Sequence, residues 1–195
     1  AHVVVVMRNA TGAVKGDLAS VHASSSVSNV TVIMSDSSVT VATDVAKGVA
    51  NIACVVGAER LDDVSVVLLR SNISVVAETT TYAACVAGVM LPAVARLIAN
   101  ATTFAAVDSR VNVRNARDGG VVVLGMVGSV GSVRPLIVQL QSVLLLAERT
   151  TVAVVAGFTG DALPVAVLGV SLWASFESIS LIADSVAALS LGDTI

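Results

Sequence analysis

The sequence predicts an α/β fold, three-layered, with a mostly parallel sheet carrying helices on both faces and antiparallel strands following it. Three observations predict it: short β-branched runs alternate with longer mixed segments, the runs are continuously apolar, and after Phe104 the rhythm changes to closely spaced β-rich stretches. Continuous apolar strands separated by helix-length segments are the pattern of a parallel sheet covered on both faces. Strands with no room for helices between them pair antiparallel.

Taken in order, VVVVM at 3–7 reads as a first strand, Asn9 to Gly12 as turn chemistry, and Asp17 as the opening of a helix reaching about residue 28. A strand at 30–34, a helix at 39–47, a strand at 51–56, a helix at 61–70 and a strand at 73–77 follow, then a long helix over 82–99 that Pro92 should kink or begin. Beyond it, 107–114, 120–127, 133–147 and 151–156 read as antiparallel strands or hairpins. The tail, 158–195, holds one expected helix at 181–191 and reads as an arm or linker, and no internal repeat of solenoid period stands out.

A chain of 195 residues suits one domain, or one with a small appendage, and can bury a core without disulfide staples. Its net charge of −3 offers no clustered cations for nucleic acid. Cys54 and Cys85 are far apart in different apolar segments, so no CxxC pair or zinc knuckle is available, and they read as reduced, buried thiols. A hydrophobic fraction of 55% raises the question of a membrane, but the uncharged runs at 79–95 and 162–176 are shorter than a spanning helix needs and lack aromatic belts. The N-terminus has no basic leader, so it reads as a strand rather than a signal peptide. Charged residues make up 13% against the usual quarter or so, and Lys15 and Lys47 are the two lysines.

Candidate chemistry is sparse. VVVLGMVGSVGSVRP, at 121–135, sets Gly125, Gly128 and Gly131 behind a valine run, but as G-x-x-G-x-x-G and followed by Pro135. A dinucleotide fingerprint needs G-x-G-x-x-G and an immediate helix, so these glycines read as strand bends, bulges or hairpin turns. His2 and His22 assemble no triad or metal set. Asp62 and Asp63 adjoin at an expected helix start, where they favour the helix dipole rather than form a catalytic pair. Glu78, Thr79, Thr80 and Thr81 follow the fourth expected strand, where open parallel sheets bind ligands, although threonines there also cap helices. No catalytic or metal residue is assigned, and no cofactor-binding residue is identified.

The order of elements and several short stretches resemble the N-terminal domain of the electron transfer flavoprotein alpha subunit. VTVIMS at 30–35, KGVANIACVV at 47–56, LPAVARLIANATTFAAVDSRVNV at 91–113, DGGVVVLGMVGSV at 118–130 and LLLAERTTVAV at 144–154 carry the resemblance, which covers about the first 157 residues. It implies a domain at 1–157 and, at 158–195, an arm or linker towards a FAD-binding domain outside this sequence. It also implies an electron carrier rather than an enzyme: the scaffold domain of an alpha-beta heterodimer that takes electrons from dehydrogenases via FAD. The implied partners are the beta subunit and a dehydrogenase donor, and the implied location is the bacterial cytoplasm or mitochondrial matrix. Two other readings stand beside it. One is a stand-alone nucleotide-binding α/β protein or enzyme using loops around Arg8 to Thr11 and Glu78 to Thr81. The other is a structural or membrane-associated assembly protein, suggested by the hydrophobicity.

Overall fold

The computed structural model describes residues 2–23, 25–43, 49–77, 83–92, 96–115, 120–129, 136–156, 165–173, 179–184 and 187–191. Their strands fall into successive coils. The first holds β1 (Val3–Arg8), β2 (Thr11–Lys15), β3 (Asp17–Leu18) and β4 (Val21–His22). The second holds β5 (Ser26–Ser35), β6 (Ser38–Thr43), β7 (Val49–Ile52) and β8 (Cys54–Val56), and the third β9 (Arg60–Leu69), β10 (Asn72–Ala77) and β11 (Ala83–Pro92). The fourth comprises β12 (Arg96–Val107), β13 (Arg110–Asn115) and β14 (Gly120–Ser129), and the fifth β15 (Leu136–Glu148), β16 (Thr151–Ala156) and β17 (Val165–Trp173). A sixth begins with β18 (Ile179–Asp184) and β19 (Ala187–Leu191).

Each strand pairs with the equivalent strand one coil away. The first sheet runs β1-β5-β9-β12-β15-β18, with β19 also on β15; the second runs β16-β13-β10-β6-β2; the third runs β17-β14-β11-β7-β3, with β4 and β8 attached. Pairing is parallel in all three. Three parallel sheets wound as stacked coils make a parallel β-solenoid, in which each coil buries its apolar face mainly against its neighbours.

The core is built of rows. In the first sheet Val30, Val64, Thr102 and Val143 stack inward, as do Val32, Val66, Phe104 and Leu145, and Met34, Leu68, Ala106 and Ala147. Side-chain volume is exchanged between rows: where Met34 and Leu68 give way to Ala106 and Ala147, the adjacent row grows from valine to Phe104 and Leu145. That compensation keeps the interior at close packing. The second sheet contributes Val39, Ile73, Val111 and Val152, with Val41, Val75 and Val113 beside them. Burying each such side chain fully contributes about 1.5–3 kcal/mol. Thr102, the one polar member of these rows, satisfies its hydroxyl by donating to the Asn100 carbonyl at 3.1 Å.

The α/β three-layer expectation is therefore corrected, because no helix occurs among the described residues and the strands form parallel sheets. The expected helices over 17–28, 39–47, 61–70, 82–99 and 181–191 lie in strands and the bends between them wherever they are described. The expected antiparallel strands at 107–114, 120–127, 133–147 and 151–156 coincide with β13 to β16, but those pair in parallel with neighbouring coils. A solenoid repeat exists after all.

Its step grows from coil to coil, 27, 34, 38 and then 41 residues between equivalent positions, so no fixed period marks it in the sequence. The helix readings have a second cause. Asn29, Asp63, Ala101 and Ser142 take left-handed backbone conformations, φ 54°, 54°, 48° and 53°, at equivalent points of β5, β9, β12 and β15. Each shifts the alternation by one residue, so the buried residues run Leu61, Val64, Val66, Leu68. The resulting i, i+3 spacing imitates a helical face.

Candidate functional site

The most specialised stretch is the corner between the first and second sheets. Every coil crosses it in two residues: Asn9-Ala10, Asp36-Ser37, Arg70-Ser71, Asp108-Ser109 and Arg149-Thr150. The first member is left-handed in all five, with φ 51°, 52°, 44°, 51° and 44°. Such a conformation is uncommon for residues other than glycine, and asparagine and aspartate adopt it most readily. Arginine here is held by the stack, because the N–H groups of Asn9, Asp36, Arg70 and Asp108 donate to Ser35, Leu69, Val107 and Glu148 carbonyls at 2.9–3.1 Å.

The second member supplies a buried hydroxyl in coils two to five. Ser37, Ser71, Ser109 and Thr150 each donate to the carbonyl two residues earlier, at 2.8, 2.8, 2.8 and 3.0 Å. Each also accepts the N–H of its equivalent in the previous coil, from Ala10, Ser37, Ser71 and Ser109, at 3.2, 3.2, 3.1 and 3.3 Å. These bonds satisfy backbone donors that a tight corner would leave buried and unpaired. Ala10 needs no hydroxyl for this purpose, since it is the first donor in the described chain of bonds.

Outside the hydroxyls runs a ladder of charge. Arg70 binds Asp36 bidentately, Nε to Oδ1 at 2.7 Å and Nη2 to Oδ2 at 2.9 Å. Arg149 binds Asp108 in the same way, at 2.5 and 2.9 Å, and also pairs with Glu148. The Arg70 guanidinium holds the Asp36 carboxyl below its ordinary value, chiefly by hydrogen bonding, and Arg149 does the same for Asp108. Charge therefore alternates along the stack as Asp36, Arg70, Asp108, Arg149. All four side chains are well exposed, so the pairs contribute little individually.

The third sheet is different: Asn51 to Val55 and Cys85 to Gly88 are buried. Cys54 and Cys85 form a disulfide, Cα atoms 6.2 Å apart, which corrects the expectation of reduced thiols. Residues 31 apart in the chain are nearly one coil apart in space, with Cys54 beside Gly88 and Cys85 beside Asn51 in register. The Asn51 carboxamide is fully buried and has no hydrogen-bond partner among the described residues. No sequence signal distinguished it from the apolar strand around it.

The sequence candidates are scattered. His22 Nε2 donates to Asp17 Oδ2 at 2.7 Å on an exposed edge of the first coil, and His2 lies at the start of the described chain. Asp62 pairs with Arg60 at 2.7 Å and accepts from Asn100 Nδ2 at 3.3 Å, while Asp63 occupies the left-handed bend of β9. Arg60 and then Asn100 lower the Asp62 carboxyl. There is no helix for either aspartate to cap. Arg8 to Thr11 form the first corner, and Glu78, Thr79, Thr80 and Thr81 lie outside the described residues. Gly125, φ 153°, sits within β14 between Gly88 and Gly169, and Gly128 lies further along the same strand, so neither turns a hairpin. Gly131 lies outside the described residues.

Among the described residues no three His, Cys, Asp or Glu side chains converge as a metal would require. No helix among them is long and apolar enough to cross a membrane, a statement that does not bear on β-barrels. Comparison with protein-family models, with curated proteins and with solved structures returned no match.

Proposed function

We propose that this chain is a structural β-solenoid scaffold working in an oxidising compartment, within the structural or assembly class that its hydrophobicity suggested. The observation that carries the reading is the repeated corner. The left-handed residue, and from the second coil the hydroxyl and the charge, serve contacts to an adjacent coil. The Cys54–Cys85 bridge does the same for the second and third coils. Disulfides persist where thiols are not kept reduced, which argues for such a compartment in place of the bacterial cytoplasm or mitochondrial matrix.

The connections elsewhere vary. The corner between first and second sheets is always two residues, whereas the second and third sheets are joined by Gly16 in the first coil and by residues 157–164 in the fifth. The flavoprotein reading, with its FAD, beta subunit and dehydrogenase donor, drew on strand-helix units that these residues do not form, and it is not carried forward. Nor is the nucleotide-binding reading, which drew on the same units.

The test is alkylation of the cells that make the protein, with thiols trapped in acid, followed by mass spectrometry of peptides containing Cys54 and Cys85. The scaffold reading expects them joined, and the intact chain labelled by a membrane-impermeant reagent. Two free thiols would overturn it, as would catalytic turnover abolished by substituting His22, Asp62 or Asp63.

A further inference from the structure

The outer surface of the first sheet carries one apolar row between two mixed ones. Between the left-handed bend and the corner, Ile33, Val67, Ala105 and Leu146 form that row across coils two to five, Ala105 buried and the other three half-buried, with Thr31, Ser65 and Thr103 on one side and Leu69 and Val107 on the other. The inward rows already fill the core, so this row faces away from it. Val6, exposed at 47%, continues this row into the first coil, and Val4, exposed at 52%, lies in register with Thr31 beside it. Along one edge of this face runs the ladder Asp36, Arg70, Asp108, Arg149.

From this arrangement we infer that the first-sheet face binds a second copy of the chain, face to face, with the two stacks antiparallel. A two-fold axis lying between the copies and parallel to the strands reverses the stacking direction and keeps the strand direction. The same corner of both copies then comes together. With the axis between the third and fourth coils, Asp36 faces the partner's Arg149 and Arg70 faces the partner's Asp108. The apolar row meets itself, Val67 against the partner's Ala105 and Ile33 against the partner's Leu146.

The order of signs makes this register self-complementary, as an isologous interface requires. A slip by one coil would set Asp36 against the partner's Asp108 and Arg70 against its own equivalent. Like charges then oppose one another, and the slipped register is disfavoured. The ladder charges are already paired within each chain, so they select the register while apolar burial supplies the attraction. Six residues along the strands and the stacked coils across them give roughly 500 Å² per copy. The total, about 1,000 Å², is at the lower limit for a specific interface, so the dimer should dissociate on dilution.

Sedimentation velocity on the full chain tests this. The wild type is expected to dimerise with concentration, and Val67→Arg to raise the dimer Kd at least about tenfold with unchanged circular dichroism. Two complementary variants settle it in any register: Arg70→Asp with Arg149→Asp makes the ladder wholly acidic, and Asp36→Arg with Asp108→Arg makes it wholly basic. Each alone should stay monomeric where the wild type dimerises, and the two mixed should dimerise, which decides the matter if Val67→Arg does not fold. Self-association of either variant at wild-type affinity, no association on mixing them, a Val67→Arg dimer of wild-type affinity, or a wild type monomeric at every soluble concentration would overturn the inference. So would a monomer that instead co-sediments with phosphatidylcholine vesicles, which would assign the face to lipid.

Discussion

Ser37 and Ser71 are 34 residues apart, and the N–H of the first donates to the Oγ of the second at 3.2 Å inside the corner. The Ser71 hydroxyl meanwhile donates to the Leu69 carbonyl at 2.8 Å. Replacing it by alanine would leave the Ser37 N–H buried without its partner. Ser71→Ala should therefore cost about 1–3 kcal/mol of unfolding free energy, and Ser71→Thr, which Thr150 shows to be compatible with the corner, much less. Urea titration of the two variants distinguishes them, and an equal loss in both would mean that side-chain volume rather than the hydroxyl matters.

Acid should weaken the ladder. Asp36 and Asp108 are held below the ordinary carboxyl value of 3.8 by their arginines, so the unfolded chain takes up protons before the folded one does. Their contribution is complete above the unfolded value and fades as pH falls through the lowered folded values. Melting temperature should be level from about pH 7 to 5 and decline below about pH 4. An Asp36→Asn, Asp108→Asn variant should show a shallower decline, and one as steep as the wild type would place the acid-sensitive groups elsewhere.

The Cys54–Cys85 bridge constrains the unfolded chain over a separation of 31 residues. Loop-closure entropy puts its stabilisation at about 3–4 kcal/mol. Both cysteines are about 1% exposed or less, so a thiol reductant should leave the folded chain intact and act once urea has opened it. Urea curves of the Cys54→Ala, Cys85→Ala variant should match those of the wild type in reductant, and both should fall below the oxidised protein.

Gly57 and Gly16 have nearly the same backbone, φ 86° and 89°, but different surroundings. A Cβ on Gly57 would sit 2.5 Å from the Ala23 carbonyl oxygen, whereas one on Gly16 would meet nothing within 4 Å. Gly16→Ala should cost about 1 kcal/mol, from the left-handed conformation alone. Gly57→Ala must also move backbone and should cost more, and thermal melts showing equal losses would refute the clash.

The two kinds of residue at the corner differ in how visible they are in sequence. Asn9-Ala10 reads correctly as turn chemistry, while Asp108-Ser109 falls inside the strand expected over 107–114. Arg70-Ser71 and Arg149-Thr150 do not read as turns, because arginine is not among the residue types that favour turns or the left-handed conformation. The pairing of Asp36 with Arg70 was equally hidden, since a 34-residue separation has no meaning until coil length is known.

The sequence by itself determined where about half of the strands lie, β1, β5, β7, β8, β10 and β13 to β16, and not β2 to β4, β6, β9, β11, β12 or β17 to β19. It did so because β-branched runs such as 30–34 and 73–77 prefer extended backbone in almost any setting. Tertiary structure alone decided the fate of 61–70 and 82–99, because a bend such as that at Asp63 shifts alternation into a helix-like spacing that pairing with adjacent coils resolves. It also decided that all pairings are parallel, that Cys54 meets Cys85, and that charges from four coils form one ladder. The physical reason is common to all three: they depend on the length of each coil, and that length changes along the chain.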